Sequence, residues 1–334
     1  MNDNIKIPTI FIGAGNFAVK ILENLLSQNT PIADKIDIVA IITQPDKEAG
    51  RKKILTPPPI KKFVQSTNVL IPLLQPINLK TESEKILADY KPELIIVADY
   101  GQIVPNNIID FPKYRCLNIH GSILPKFRGA VPAAMAILNG DKTTGVSIPV
   151  MTYKLDDGDV LGFREIKILE DDTTYTLRMR LADVGNELLN EVLPKWIEGK
   201  ITPIPQDVAN ATYTWERDLD KEKAVINSSI PIQRIERMIR AFSPWPIAWA
   251  NISINDKVKR MKIYKAQIVY SIDIANSGAV SLESHEVGEV FKSDKKLYLK
   301  LEDGILELQE VQLEGKKILA GTEYLFLNGA RLVK

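Results

Sequence analysis

Cysteine is nearly absent: Cys116 stands alone in 334 residues. That excludes an intrachain disulfide and any cysteine-rich zinc site, and it points to a reducing compartment. Histidine is almost as scarce, with only His120 and His285. Neither sign of charge dominates: 43 Lys and Arg face 42 Asp and Glu, a formal net charge of +1. Bulk electrostatic attraction for nucleic acid is thereby excluded, whereas local basic patches are not. No apolar run has the length needed to cross a bilayer. The start, Met1 to Pro8, lacks the basic-then-apolar run of a signal peptide, so the expected location is cytoplasmic and no membrane partner is expected. No internal repeat is visible. With 45% hydrophobic and 25% charged residues, the chain has the make-up of a globular protein in one large or two ordinary domains.

The first two hundred residues alternate strand and helix. Thr9 to Ile12 is a short apolar run ended by Gly13-Ala14-Gly15, after which Asn16 is placed to cap a helix with Phe17, Val19, Ile21, Leu22, Leu25 and Leu26 on its apolar face. Residues 36–42 read as a second strand. Leu94 to Ala98 is apolar throughout, the mark of a central parallel strand covered on both faces. Cys116 to Ile119 is the next strand. Such alternation predicts a doubly wound α/β sheet with ligands at the carboxyl ends of its strands. Two further strands, 144–151 and 160–169, precede a long helix with Leu177, Leu181, Val184, Leu188 and Val192 on one stripe. Pro203, Pro205 and the polar stretch Gln206 to Thr212 then read as a linker. Beyond Tyr213 come one helix, 231–242, and short alternating runs at 258–269, 288–291, 297–301, 305–311 and 331–333. These predict a smaller OB-like β-barrel. The expected division is residues 1–205 and 206–334.

Asn118-Ile119-His120 is the stretch that bears most on chemistry. At a strand end, an amide and an imidazole two residues apart share one orientation. Asn can donate to a developing oxyanion and His can move a proton near neutral pH. Taken alone, the pair reads more readily as a satisfied His and a chain-turning Asn; its place at a carboxyl strand end shifts the reading toward function. Gly13-Ala14-Gly15 invites a dinucleotide reading, but Ala18 stands where the third glycine of G-x-G-x-x-G belongs, and a tight turn is the better account. Asp156, in the acidic turn Lys154 to Asp159, is either solvated or a carboxylate brought toward His120; an EF-hand spacing is absent, and no metal is expected. Thr43 to Lys62 reads as a basic loop with Lys47, Arg51, Lys52, Lys53, Lys61 and Lys62. A solvated surface and a phosphate contact are both open for it. Lys257 to Lys265 is a second basic run, whose alternation puts Lys257, Lys259, Met261, Ile263 and Lys265 on one face.

Taken together, several motifs resemble the methionyl-tRNA formyltransferase family, among the 10-formyltetrahydrofolate-dependent formyltransferases. They are Thr43-Gln44-Pro45-Asp46 with Gly50-Arg51 and Pro57 to Lys61, Tyr100-Gly101 with Pro105, Asn118 to Pro125, Arg128-Gly129-Ala130, Leu155-Asp156 before Gly158-Asp159, and Ile239 to Pro246. They span nearly the whole chain. The chain departs from the family at Gly13-Ala14-Gly15-Asn16 and at Asp99, where a small or apolar residue is usual. The resemblance implies a Rossmann-like formyltransferase domain followed by an OB-like tRNA-binding domain. It implies Asn118, His120 and Asp156 as the catalytic trio, Ser122, Ile123, Leu124 and Pro125 as the folate segment, and Arg51, flanked by Lys52 and Lys53, as the acceptor-stem contact. The implied reaction moves the formyl group of 10-formyltetrahydrofolate to the α-amino group of methionyl initiator tRNA, in a chain expected to act as a monomer. The rival readings are an amino-sugar-nucleotide formyltransferase, a nucleotide-dependent oxidoreductase and a silent RNA-binding module.

Overall fold

A computed structural model of the chain describes residues 6–50, 52–67, 69–269 and 285–333. Two compact units emerge. The first holds the described residues up to Pro132 with Thr143–Lys167 and Leu177–Thr214; the second holds Ala133–Lys142, Ile168–Thr176 and the described residues from Trp215 on.

In the first unit the strands are β1 (Ile7–Gly13), β2 (Ile36–Ile42), β3 (Lys47–Ala49), β4 (Ile54–Thr56), β5 (Leu73–Leu74), β6 (Leu94–Ala98), β7 (Cys116–Asn118), β8 (Arg128–Gly129), β9 (Thr143–Pro149), β10 (Val160–Lys167) and β11 (Tyr213–Thr214). The helices in chain order are α1 (Asn16–Leu26), α2 (Pro59–Thr67), α3 (Leu79–Tyr90), α4 (Asn106–Asp110), α5 (Pro132–Asn139), most of which belongs to the second unit, and α6 (Thr174–Ile197). The central sheet runs β5-β2-β1-β6-β7, every pair parallel. All five residues of β6 are buried, because a parallel strand covered on both faces has no side to give to water. Chain order reverses between β1 and β6, so the crevice at their carboxyl ends is the topological switch point. Asn118 ends β7, paired with Val97 of β6 beside that crevice. β9 and β10 form a separate antiparallel pair.

The long helix α6 buries Leu177, Leu181, Leu188 and Val192 as its periodicity requires, with Val184 half-buried. Three local expectations are corrected. Asn16 does not cap α1: it is the helix's first residue, and the cap position is Gly15, with no side-chain bond. A carboxylate from elsewhere stands there instead. A Cβ on Gly15 would meet Oδ2 of Asp99, which also accepts from Arg178 Nη2 at 2.6 Å; negative charge suits a helix N-terminus. The basic stretch is no open loop, since β3 and β4 pair as a hairpin. The polar stretch 206–212, read as a linker, packs within the first unit.

In the second unit α7 (Ile232–Ala241) is followed by β12 (Trp249–Ile254), β13 (Lys257–Val269), β14 (Glu289–Ser293), β15 (Lys296–Leu301), β16 (Gly304–Leu313), β17 (Leu319–Ala320) and β18 (Ala330–Leu332). The order β13-β12-β18-β14-β15-β16, with β16 returning to β13, closes a six-stranded antiparallel barrel; β17 adds to its edge. Closure removes the exposed sheet edge. Ile232, Ile235, Met238 and Ile239 form the buried side of α7. The Asp303 carboxylate accepts the Ile232 N–H at 3.0 Å, an acid at the helix start. The face expected along β13 holds for the buried pair Met261 and Ile263 and breaks at Lys265, because a register shift between Ile263 and Lys265 turns that lysine out to solvent. His285 leaves the chemistry to the other unit: its ring stacks on Phe291 and pairs with Glu289.

Candidate active site

His120 follows β7 and exchanges both backbone hydrogen bonds with Ser147 of β9, at 2.9 Å each. Strand alternation buries Ile119 on one side and presents Asn118 and His120 on the other. His120 is 5% exposed. Its Nε2 lies 3.0 Å from the Phe127 carbonyl oxygen, which can only accept. Nε2 therefore carries the proton, and Nδ1 is the free nitrogen of the neutral ring. Nδ1 faces Asp156 Oδ2 at 3.7 Å. That is outside hydrogen-bond reach but close enough for strong attraction once the ring is protonated. The hydrogen bond that orients the ring is thus the one His120 donates to the Phe127 carbonyl, and not one to Asp156.

Asp156 lies in the turn between β9 and β10 with φ of 48°, a left-handed conformation unfavourable for a residue with a Cβ. Its carboxylate is held by two donors: the Gly129 N–H at 2.7 Å and the Asn118 Nδ2 at 3.3 Å. The second amide hydrogen of Asn118 has no partner among the described residues. So the structure brings Asn118, His120 and Asp156 together around one small space. In chemical terms this is an uncommitted N–H donor, a proton acceptor and an anion able to stabilise that acceptor when charged.

The segment 122–125 turns directly away from His120. Ser122 is fully buried and donates its hydroxyl to the Lys126 carbonyl at 2.5 Å. Ser147 Oγ donates to the Ser122 carbonyl at 2.8 Å and accepts the Leu124 N–H at 3.0 Å. Leu124 is buried, while Ile123 and Pro125 are half-buried. Lys52 and Lys53 occupy the exposed turn of the β3–β4 hairpin, away from the trio in sequence and element. Arg51 lies outside the described residues. At the hairpin's base, Asp46 accepts from Lys61 Nζ at 2.9 Å and from Gln75 Nε2 at 2.9 Å. The Gln75 hydrogen bond first, then Lys61, hold the Asp46 carboxyl below its ordinary pKa.

Sequence reasoning missed three groups that shape this site. The Phe127 carbonyl and the Gly129 N–H are backbone atoms with no residue-type signature. Gln206 is a single polar residue in a proline-flanked stretch, with no pattern to mark it. Its contacts show only in three dimensions. Among the described residues no group of three or more His, Cys, Asp or Glu side chains is arranged to hold a metal ion, and no helix is long and apolar enough to cross a membrane.

A parallel sheet with this site at its switch point, followed by an antiparallel barrel, is the architecture of a formyl-group transferase. Residues 5–193 match the family described as formyl transferase, and residues 218–331 match the formyl transferase C-terminal domain; the chain belongs to the formyl transferase family. Its similar relatives are more particular. The methionyl-tRNA formyltransferase of Geobacillus sp. (strain WCH70) is 38% identical over 98% of this chain and 96% of its own length. That of Dictyoglomus thermophilum is 40% identical over 97% of each. Solved structures of like fold include HypX from Aquifex aeolicus in complex with tetrahydrofolic acid, with TM-score 0.63, 16% identity, and coverage of 96% of this chain and 47% of that one. An N-formyltransferase from Helicobacter canadensis, in complex with folinic acid and dTDP-3-aminofucose, has TM-score 0.61, 18% identity, and coverage of 90% and 98%.

Proposed function

We propose that this chain transfers the formyl group of 10-formyltetrahydrofolate to the α-amino group of methionyl initiator tRNA, in the service of translation initiation. The observation that carries this reading is the likeness to methionyl-tRNA formyltransferases at 38% and 40% identity, running through both units. The N-formyltransferase of like fold solved with dTDP-3-aminofucose stands at 18%.

The folate cosubstrate brings a formyl carbon already activated for transfer, and the donor set present fits it: a neutral amide and an imidazole suit acyl transfer to an amine. Asn118 keeps one amide hydrogen for the formyl oxygen as that oxygen gains negative charge, a contribution of about 3–4 kcal/mol in comparable sites. The Nδ1 of His120 takes the proton that the attacking amine loses, and returns it toward the departing nitrogen of the folate. Asp156 stabilises the transient imidazolium across the 3.7 Å gap. Residues 122–125 form the wall for the folate, through Ile123, Leu124 and Pro125 and through backbone groups, since the Ser122 hydroxyl is already committed. Arg51, Lys52 and Lys53 meet phosphates of the acceptor stem. The first unit, which extends to Thr214, carries catalysis and the barrel of the second carries tRNA binding, so that the division falls after Thr214 and not at residue 205, in a monomeric cytoplasmic enzyme.

One experiment tests the reading. The chain is incubated with 10-formyltetrahydrofolate and either methionyl initiator tRNA or an amino-sugar nucleotide. Formylmethionyl-tRNA is the expected product, with no formylated sugar. Formylation of the sugar alone would transfer the chain to the other substrate class.

A further inference from the structure

Arg128 is 2% exposed, and no carboxylate among the described residues pairs with it. A buried guanidinium without an anion is costly unless its N–H groups are all directed at acceptors. Arg128 Nε and Nη2 donate to Gln206 Oε1 at 3.1 and 2.8 Å. Nη1 donates to the Tyr213 hydroxyl at 3.3 Å. The other end of the same Gln206 amide, Nε2, donates to the carbonyl oxygens of Asp156 at 2.8 Å and Gly158 at 2.7 Å. The amide can sit only this way round, because a guanidinium offers donors alone and a carbonyl offers an acceptor alone. Those two carbonyls bracket the turn in which Asp156 adopts its left-handed conformation, and Gly158 packs so closely that a Cβ would meet the Val150 carbonyl. The circuit closes through the residue after Arg128, since the Gly129 N–H holds the Asp156 carboxylate. The Asp156 turn is thus fixed from outside it in two ways, its carboxylate by β8 and its backbone carbonyls by Gln206.

We propose that Gln206 is a positioning residue for formyl transfer: its amide, braced by Arg128, holds the strained turn that places the Asp156 carboxylate opposite His120 Nδ1. The proposal rests on the formyl-transfer reading for its kinetic consequence, but not for its geometry. A merely structural alternative is that Gln206 exists to satisfy the buried Arg128. The two differ in what they require of the amide. Arg128 needs only the oxygen, whereas the Asp156 turn needs only the NH₂ group.

Gln206→Glu separates them. It keeps an oxygen for Arg128 and adds a charge complementary to it, while it sets an acceptor against two carbonyl oxygens. The proposal expects the full-length Gln206→Glu enzyme to melt no lower than the wild type, to bind formyl donor and tRNA within about twofold of the wild type, and to lose kcat by roughly 30-fold or more. A second readout does not depend on turnover. With two histidines in the chain, the His120 imidazole nitrogens are resolved by ¹⁵N NMR. Displacing Asp156 from Nδ1 should move the His120 ring ¹⁵N chemical shifts away from their wild-type values, because Nδ1 loses the carboxylate that faces it at 3.7 Å. Unchanged kcat and unchanged His120 ring ¹⁵N shifts in Gln206→Glu would overturn the proposal and leave Gln206 as the partner of Arg128. Should that variant fail to fold, Gln206→Ala decides: kcat within about threefold of wild type would overturn the proposal, as would loss of kcat with unchanged His120 ring ¹⁵N shifts, and loss of kcat together with displaced His120 shifts in a folded enzyme would support it. Wild-type chain inactive in formyl transfer would refute the functional reading, and the NMR comparison would still decide the placement of Asp156.

Discussion

At the scale of single residues, the proposed mechanism divides one reaction among three groups that cannot substitute for each other. His120 commits its Nε2–H to a hydrogen bond with a backbone carbonyl, so Nδ1 is the atom left for proton transfer, and Ala in its place removes that function without opening the strand. His120→Ala is expected to lower kcat by at least about 100-fold, near 2.7 kcal/mol of transition-state stabilisation, with donor affinity within about twofold. Asp156→Asn should be comparably severe, since it keeps the shape and loses the charge that faces Nδ1. Single-turnover formylation beside a direct donor titration checks both; near-normal turnover in His120→Ala would remove it from the chemistry. A second residue-scale prediction concerns stability. The Tyr100 hydroxyl is buried and finds no hydrogen-bond partner among the described residues, and burial, then Glu82, push its pKa up to about 12. An unsatisfied buried hydroxyl costs about 1–3 kcal/mol. Tyr100→Phe should therefore raise the melting temperature, and a lower one would reveal a hidden partner such as an enclosed water.

At the scale of elements, what holds the basic hairpin in place is a network at its base. Asp46, in the segment between β2 and β3, is tied to α2 through Lys61 and to the end of β5 through Gln75. A carboxylate whose folded pKa is depressed adds stability that is complete above its unfolded value of 3.8 and is lost as pH falls through the folded value. Asp46→Asn should thus be the less stable protein at neutral pH, and the gap should narrow as the pH drops below about 4. Melting curves taken from about pH 6 to pH 3 read this directly; parallel curves would mean that Asp46 contributes no pH-linked stability. The same elements show what the sequence disclosed. Leu94 to Ala98 was legible because its apolar run is continuous, and α7 because its apolar stripe repeats at helical spacing. β3 and β4 were not, since a lysine-rich stretch of short strands shows no alternation. β12 was also missed, directly after Pro244-Trp245-Pro246, where proline argues for a turn. In the site, Asn118 and His120 were legible from residue type at a strand end. The left-handed turn of Asp156 and its support by Gly129, Arg128 and Gln206 were not, because they join residues far apart in the chain.

On the scale of the whole molecule, a formal net charge of +1 leaves little general attraction for a polyanion. Affinity for tRNA has to come from local patches, and the barrel supplies one along β13. There the burial of Met261 and Ile263 assigns the opposite, outward side to Arg260, Lys262 and Tyr264. The Arg260 guanidinium lies 4.0 Å from the centre of the Trp249 ring, which keeps it flat against the surface and partly desolvated. Lys259 shares the strand face of the buried Met261, so it is the weaker candidate despite equal charge. The expected result is an asymmetry between two neighbouring lysines. Lys262→Ala should weaken tRNA binding and reduce the slope of log affinity against log salt by roughly 0.7–0.9, as one phosphate contact does, while Lys259→Ala changes the slope by less. Turnover at saturating tRNA should be kept in both, since neither lysine belongs to the unit that holds the trio. Binding titrations across a range of salt concentrations separate the contributions. If Arg260 and Lys262 are replaced together and the slope stays at the wild-type value, the barrel's outer face is not where the phosphates lie. The attraction would then have to come from the β3–β4 hairpin alone.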